Sequence, residues 1–203
     1  MQDFGLVIIG AHFGVWLEAE INSYKNQNVL LVEPVPYNYN QLKRKYNNNK
    51  NIFISTKAIF SENKFNKFFF VKEKSISILG KHWASGIGSF NKNHILNHKS
   101  KRFNVQEEDI DEIDVEFITF DQLIKNFSIK SIDKLQIDVE GAEYEILKTI
   151  NFKSININSI KFEFKHFDGT FKEGPKLTEI KNKLIFEGYK LKQIDSENIL
   201  AEK

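Results

Sequence analysis

Leu6-Val7-Ile8-Ile9-Gly10-Ala11-His12-Phe13-Gly14 is the stretch that decides the fold class. Four consecutive apolar residues, three of them β-branched, read as a strand buried on both faces, the kind found in parallel sheets. Gly10 ends the run. After the loop to Gly14, residues 15–24 place Val15, Trp16, Ala19 and Tyr24 near helical spacing. A second apolar run, Val29-Leu30-Leu31-Val32, ends in Glu33-Pro34, and the prolines at 34 and 36 stop it. Tyr37 to Tyr46 carries a helix-like pattern through Leu42, and Ile52-Phe53-Ile54 is a third strand. Strand, helix, strand, helix, strand is the opening half of a doubly wound sheet.

The same alternation returns further on. Val115 to Ile118 reads as a strand, and Thr119 as the N-cap of a helix through Leu123 and Ile124. Lys134 to Ile137 is a strand ended by Asp138, and Ala142 to Lys148 a helix with Ile146 and Leu147 inward. Ile160 to Phe164 is a strand, Leu177 to Phe186 a helix broken by Gly188, and Tyr189–Ile194 with Ile199–Ala201 a terminal hairpin. The middle differs. Residues 57–80, with Phe65, Phe68, Phe69, Phe70, Val71 and the alternating Ile76-Ser77-Ile78, suit a hairpin better than helices. Residues 80–112 hold glycines, three histidines and a polar tract, and read as a long loop, an active-site arm or lid. No repeat or linker interrupts the chain, so 1–203 is expected to form one domain with 57–112 inserted.

Composition narrows the function classes. Hydrophobic residues make up 41% and charged residues 28%, ordinary for a globular protein. A net charge of +2 is too small to mark a nucleic-acid binder. The basic clusters Lys43-Arg44-Lys45 and Lys99, Lys101, Arg102 have acidic residues near them in sequence and read as solvated surface. Without cysteine there is no disulfide framework, thiolate nucleophile or cysteine-ligated zinc. No apolar run is long enough to cross a bilayer, and residues 1–30 lack a secretory signal. A cytoplasmic protein without membrane or nucleic-acid partners is expected.

In open α/β sheets ligands bind beyond the carboxyl ends of the strands, near the switch in strand order. Three such ends stand out. At Gly10 to Gly14, glycines let the backbone approach a ligand, although such a loop also serves packing. Glu33 ends the second strand, where a carboxylate can accept both hydroxyls of a ribose. Asp138-Val139-Glu140-Gly141-Ala142-Glu143 sets carboxylates at a strand mouth, able to hold an ammonium group, bind a metal, act as a base, or simply cap the following helix. His166, beyond the Ile160–Phe164 strand, is a further candidate base, with Glu163 behind it. His82, His94 and His98 offer substrate contacts or metal ligands together with Asp138 and Glu140. Their spacing matches no familiar site, so no metal is expected. Trp83 and Phe90 suit stacking on a sugar ring or anchoring of the loop.

Taken together, Ile9-Gly10-Ala11-His12-Phe13-Gly14, Val32-Glu33-Pro34-Val35-Pro36, Thr119-Phe120-Asp121 and, most specifically, Asp133 to Glu143 resemble the FkbM-type methyltransferase family. The resemblance covers nearly the whole chain and is loose over residues 57–112. It implies an α/β fold of the class I methyltransferase type: a Rossmann-like, mostly parallel sheet with a C-terminal antiparallel hairpin and an inserted β-rich arm. It implies S-adenosylmethionine as cofactor and O-methylation of a sugar or small-molecule acceptor. By position, Gly10, Ala11 and Gly14 would approach the methionine moiety. Glu33 and Pro34 would lie at the ribose and Lys57 and Ala58 beside the adenine. Asp138 would sit near the reacting methyl, with Glu140 facing the acceptor. As base the order is Glu140, Asp138, His166. Two positions depart from the family pattern: Ile8 stands where an Asp is usual, and His12 where an Asn is frequent. The loss of that carboxylate motivates an alternative, a noncatalytic binding or scaffold module. A nicotinamide-dependent oxidoreductase fits less well, because a full Gly-x-Gly-x-x-Gly is missing.

Overall fold

The structure is a computed structural model that describes residues 1–14, 16–79, 82–97, 105–169 and 172–203, with the side chains of 77–79 and 82–83 outside the description. Val15 and His98, and the side chains of His82 and Trp83, therefore lie outside the described residues. The first half follows the expected alternation: β1 (Gln2–Ile9), α1 (Glu18–Ser23), β2 (Asn28–Val32), α2 (Pro36–Tyr46) and β3 (Ile52–Ser55). Next come β4 (Ala58–Ile59), β5 (Lys64–Val71), α3 (Glu73–Leu79), a 3-10 turn (His82–Gly86), β6 (Gly88–Ser89) and α4 (Lys92–Leu96). The remainder is β7 (Ile110–Ile118), α5 (Phe120–Asn126), β8 (Ile129–Ile137), α6 (Glu143–Thr149), β9 (Asn156–Glu163), α7 (Pro175–Phe186), β10 (Lys190–Gln193) and β11 (Asn198–Glu202).

Seven strands form the main sheet in the order β10-β11-β9-β8-β1-β2-β3. The five from β9 to β3 are parallel to their neighbours, and β11 runs antiparallel between β9 and β10. The chain moves outward from β1 through β2 to β3, then returns to the other side of β1 with β8. The β1/β8 boundary is therefore the topological switch point, and the crevice opens beyond Ile9 and Ile137.

The continuous apolar run of β1 has a direct physical reason. Val7 and Ile9 face a core built with Leu135, Ile137, Leu123, Ile146, Leu147 and Ile180. Leu6 and Ile8 point the other way, to Leu31, Ile21 and Leu42 beneath α1 and α2. Side chains alternate along a strand, so a strand sandwiched between helices needs apolar residues at every position. Thr119 caps α5 as expected, its Oγ1 accepting from the Gln122 N–H at 3.1 Å.

The inserted region needs two corrections. β5 pairs antiparallel with the distant β7, and β6 and β4 complete a four-stranded sheet. Ile76-Ser77-Ile78 lies in α3, not in a hairpin. The β5–β7 ladder ends where the Lys72 N–H donates to the Asp109 carbonyl, and the Ser75 and Ile76 N–H groups then turn back onto Lys72. Alternation over three residues carries too little signal to outweigh that turn. Second, residues 80–112 are not a bare loop. The described part holds a 3-10 turn, β6 and α4 over a small core of Val71, Ala84, Ile87, Ile95, Val105 and Ile110. Among the described residues no helix is long and apolar enough to cross a membrane.

Candidate active site

Backbone hydrogen bonds tie three strand ends together. The Gly10 and Ala11 N–H groups both donate to the Val32 carbonyl at 3.0 Å, and the Asp138 N–H donates to the Ile9 carbonyl at 2.9 Å. Gly10 has φ +88°, and a Cβ there would lie 1.7 Å from the Asp138 carbonyl oxygen. Only glycine permits this approach. His12 follows at φ +52°, and its N–H donates to Glu33 Oε2 at 2.8 Å. The Val35 N–H donates to Glu33 Oε1 at 2.9 Å. Burial pushes the Glu33 carboxyl up to about 7, against the pull of these two bonds and one from Asn38. A carboxylate has about four acceptor positions, which leaves Glu33 capacity for a ligand hydroxyl.

The turn after β8 is shaped by Glu143, the fully buried first residue of α6. Its two oxygens accept from the Val139 N–H at 2.8 Å and the Gly141 N–H at 3.0 Å. These bonds hold a loop in which Glu140 and Gly141 both have positive φ, +55° and +111°. Burial raises Glu143 to about 7. Glu143 is thus the clamp of this segment. Asp138, open at the mouth but set deep in the cleft, is raised to about 6, first by burial and then by the charge of Glu140.

At the end of β9 the buried Glu163 pairs with Lys165 at 2.5 Å, and Lys165 reaches Glu197 at 3.4 Å. Burial, followed by the charge of Glu140, raises Glu163. Burial would lower Lys165, but Glu140 and Glu163 outweigh it and hold the ammonium charged. His166 Nε2 stands 3.4 Å from Glu140 Oε2 and 4.0 Å from Glu163 Oε2. His94 comes in from α4 on the inserted arm, its Nε2 3.8 Å from the same Glu140 oxygen, with its ring 4.9 Å from that of His166 and edge-on to it.

Two cavities flank this floor. The first, about 60 Å³, is lined by Gly10, His12, Glu33, Pro34, Ala58 and Asp138 on the main sheet and closed by Phe68, Gly86, Gly88, Ser89, Phe90 and Phe117. The second, about 240 Å³, lies beside it between Ser89, Phe90, His94, Glu140, Gly141 and His166. Of the residues expected at a cofactor, Gly10, Glu33, Pro34, Ala58 and Asp138 line the first cavity. Ala11 and Gly14 do not. Ala11 is wholly buried with Ile8 and Leu31, and Gly14, at φ +76°, packs against Leu42 of α2. Ile8 likewise points into that core, away from the cavity. Glu140 and His166 meet at the second cavity. His94 was readable only as one of several arm histidines, since nothing in local spacing pairs it with His166.

The arm is held down over the first cavity. The His12 ring contacts Ser85 Oγ and stacks on Trp16, the Asn38 amide donates to the Ser85 carbonyl at 2.7 Å, and the Tyr37 hydroxyl donates to the Val71 carbonyl at 2.8 Å.

Comparison with known proteins agrees with this layout. No curated protein matches the chain by sequence. The structure is similar to a methyltransferase FkbM from Methylobacillus flagellatus KT, with a TM-score of 0.55 at 13% identity, over 99% of this chain and 44% of that one. The chain therefore spans less than half of that protein's length. A fibrillarin pre-rRNA processing protein of Methanococcus jannaschii gives 0.49 at 13% identity, over 99% of this chain and 66% of that one. At 13% identity, the likeness to the Methylobacillus protein is one of fold. The model of the methyltransferase FkbM domain matches residues 9–191, nearly the whole chain. With its parallel sheet, its switch-point cavity and this match, the chain belongs to the FkbM methyltransferase family, whose methyl donor is S-adenosylmethionine.

Proposed function

We propose that this protein transfers the methyl group of S-adenosylmethionine to a hydroxyl of a sugar or small metabolite. The observation that carries the reading is the first cavity: a buried carboxylate, Glu33, at the end of β2, an apolar wall including Ala58, Phe68 and Phe117, and Gly10 with Asp138 at the switch point. Glu33 and Pro34 would hold the ribose, Ala58 would lie against the adenine, and Asp138 would face the methionine end. Methyl transfer from a sulfonium is an in-line displacement, so the protein aligns acceptor, methyl and sulfur and removes the hydroxyl proton. Asp138, raised to about 6, suits a base working near neutral pH. Glu140 and His166, at the neighbouring cavity, are the other groups in reach of an acceptor.

Gly86, Gly88, Ser89 and Phe90 of the arm line this cavity, so the donor would enter past them. The second reading, a methyltransferase fold kept as a noncatalytic module, is motivated by Ile8 at the position where an Asp is usual. Calorimetric titration with S-adenosylmethionine and S-adenosylhomocysteine, with NADH as control, separates the two. Micromolar binding of the sulfur ligands, weakened at least tenfold in Glu33→Ala, supports the enzyme. No binding at millimolar ligand refutes it in favour of the module.

A further inference from the structure

We propose that His94, Glu140 and His166 form a binding site for a divalent first-row transition-metal ion at the second cavity. The three residues come from α4 of the arm, the turn after β8 and the segment after β9, and each offers one ligand atom within 4.8 Å of the others. Two distances are already short, 3.4 Å from His166 Nε2 and 3.8 Å from His94 Nε2 to the same carboxylate oxygen. Ligand atoms about 2.1 Å from a common ion stand roughly 3.0–3.4 Å apart at angles between 90° and tetrahedral, so the two pairs to Glu140 need to close by less than about an ångström and the histidine pair by at most roughly 1.4–1.8 Å. Two imidazoles and one carboxylate suit manganese, iron, cobalt or zinc in the divalent state, and the set leaves coordination positions open.

The surroundings are built for this convergence. Gly141, whose φ of +111° favours glycine, turns the loop back beside the His94 ring. Glu140, a non-glycine residue, is held at φ +55° by the turn that Glu143 clamps. Such backbone strain clusters at ligand clamps and active sites. Glu163 stands against the same His166, its Oε2 4.0 Å from Nε2, so this floor carries carboxylate oxygens on both sides of the imidazole. The side chains of the three ligands are 12–20% exposed, and the 240 Å³ cavity beside them has room for water or an acceptor oxygen as further ligands. Because His94 rides on the arm, an ion here also pins the arm over the sheet. The assignment rests on side-chain geometry alone and stands whether or not the donor binds.

The test uses the whole chain without a histidine tag, stripped with chelator and titrated with Co²⁺ by calorimetry and visible absorption. The expected result is one equivalent of Co²⁺ with d–d bands. His94→Ala and His166→Ala should each weaken binding by about 100-fold, since loss of even an outer-shell partner costs roughly 10–100-fold. Glu18→Gln, in an exposed ion pair on α1, should leave it unchanged. Circular dichroism confirms that each variant is folded, and His94→Gln replaces His94→Ala if the latter is not. No binding to the parent chain, or equal binding in the parent and both histidine variants, overturns the site. Titration with S-adenosylhomocysteine is scored separately, so a failure of the donor reading does not read as a failure of the metal site.

Discussion

Gly10→Ala is the substitution whose consequence follows most directly from the geometry. Two costs add. At φ +88° a Cβ is in the left-handed region, which costs an L-residue about 1–2 kcal/mol. The new carbon would also sit 1.7 Å from the Asp138 carbonyl oxygen, where real Cβ atoms do not come under 3.0 Å. Relief requires the β1 and β8 ends to part by more than an ångström, which breaks the 2.9 Å bond from the Asp138 N–H to the Ile9 carbonyl at a cost of about 1 kcal/mol or more. The total is at least about 2–3 kcal/mol, a Tm lower by roughly 4–12 °C for a chain of this size. Gly188→Ala is the internal control. Gly188 has φ +90°, follows the C-terminus of α7, and would place a Cβ with nothing within 4 Å, so it carries the conformational cost alone. That is about 1–2 kcal/mol, or about 2–8 °C. Differential scanning calorimetry of the two variants against the parent reads the difference. Equal shifts for the two would refute the argument that Gly10 is required by the approach of Asp138.

Two further predictions concern carboxyl side chains that accept from backbone N–H groups. Glu143, raised in the folded state to about 7 from an ordinary 4.5, contributes stability that is complete below about pH 4.5 and is lost as the pH rises through 7. The cost of Glu143→Gln, which replaces one of its two acceptors with a donor, should therefore be largest near pH 5 and shrink by pH 8; a penalty independent of pH in thermal melts would refute the assignment. Asp168 accepts from the Lys176 and Leu177 N–H groups, both at 3.0 Å, and so satisfies the first turn of α7. Asp168→Ala should cost about 1 kcal/mol, or about 2–4 °C in Tm, and an unchanged melt would show that water satisfies those groups equally well.

Much of the fold was legible because local physics wrote it into short segments. Leu6 to Ile9 must be apolar at every position when helices cover both faces of the sheet. Thr119 had the right side chain in the right place for a cap, and the terminal hairpin declared itself through Gly188 and the two short strands after it. The inserted region was less legible. Ile76-Ser77-Ile78 alternates like a strand but lies in α3, because the β5–β7 ladder ends at Lys72 and the chain turns there.

The sequence by itself determined the order of strands and helices outside residues 57–112, the placement of Gly10, Glu33, Asp138 and Glu140 at strand ends, and the family. Each of these is carried by residues close together in the chain, where periodicity, capping and glycine punctuation act. Only the tertiary structure decided that Ala11, Gly14 and Ile8 belong to the packing beneath α1 and α2, that Glu143 clamps the turn, and that His94 meets Glu140 and His166. Those outcomes depend on which face of a strand a side chain takes and on which distant segments pack together. Long-range burial sets both, and no local pattern encodes them.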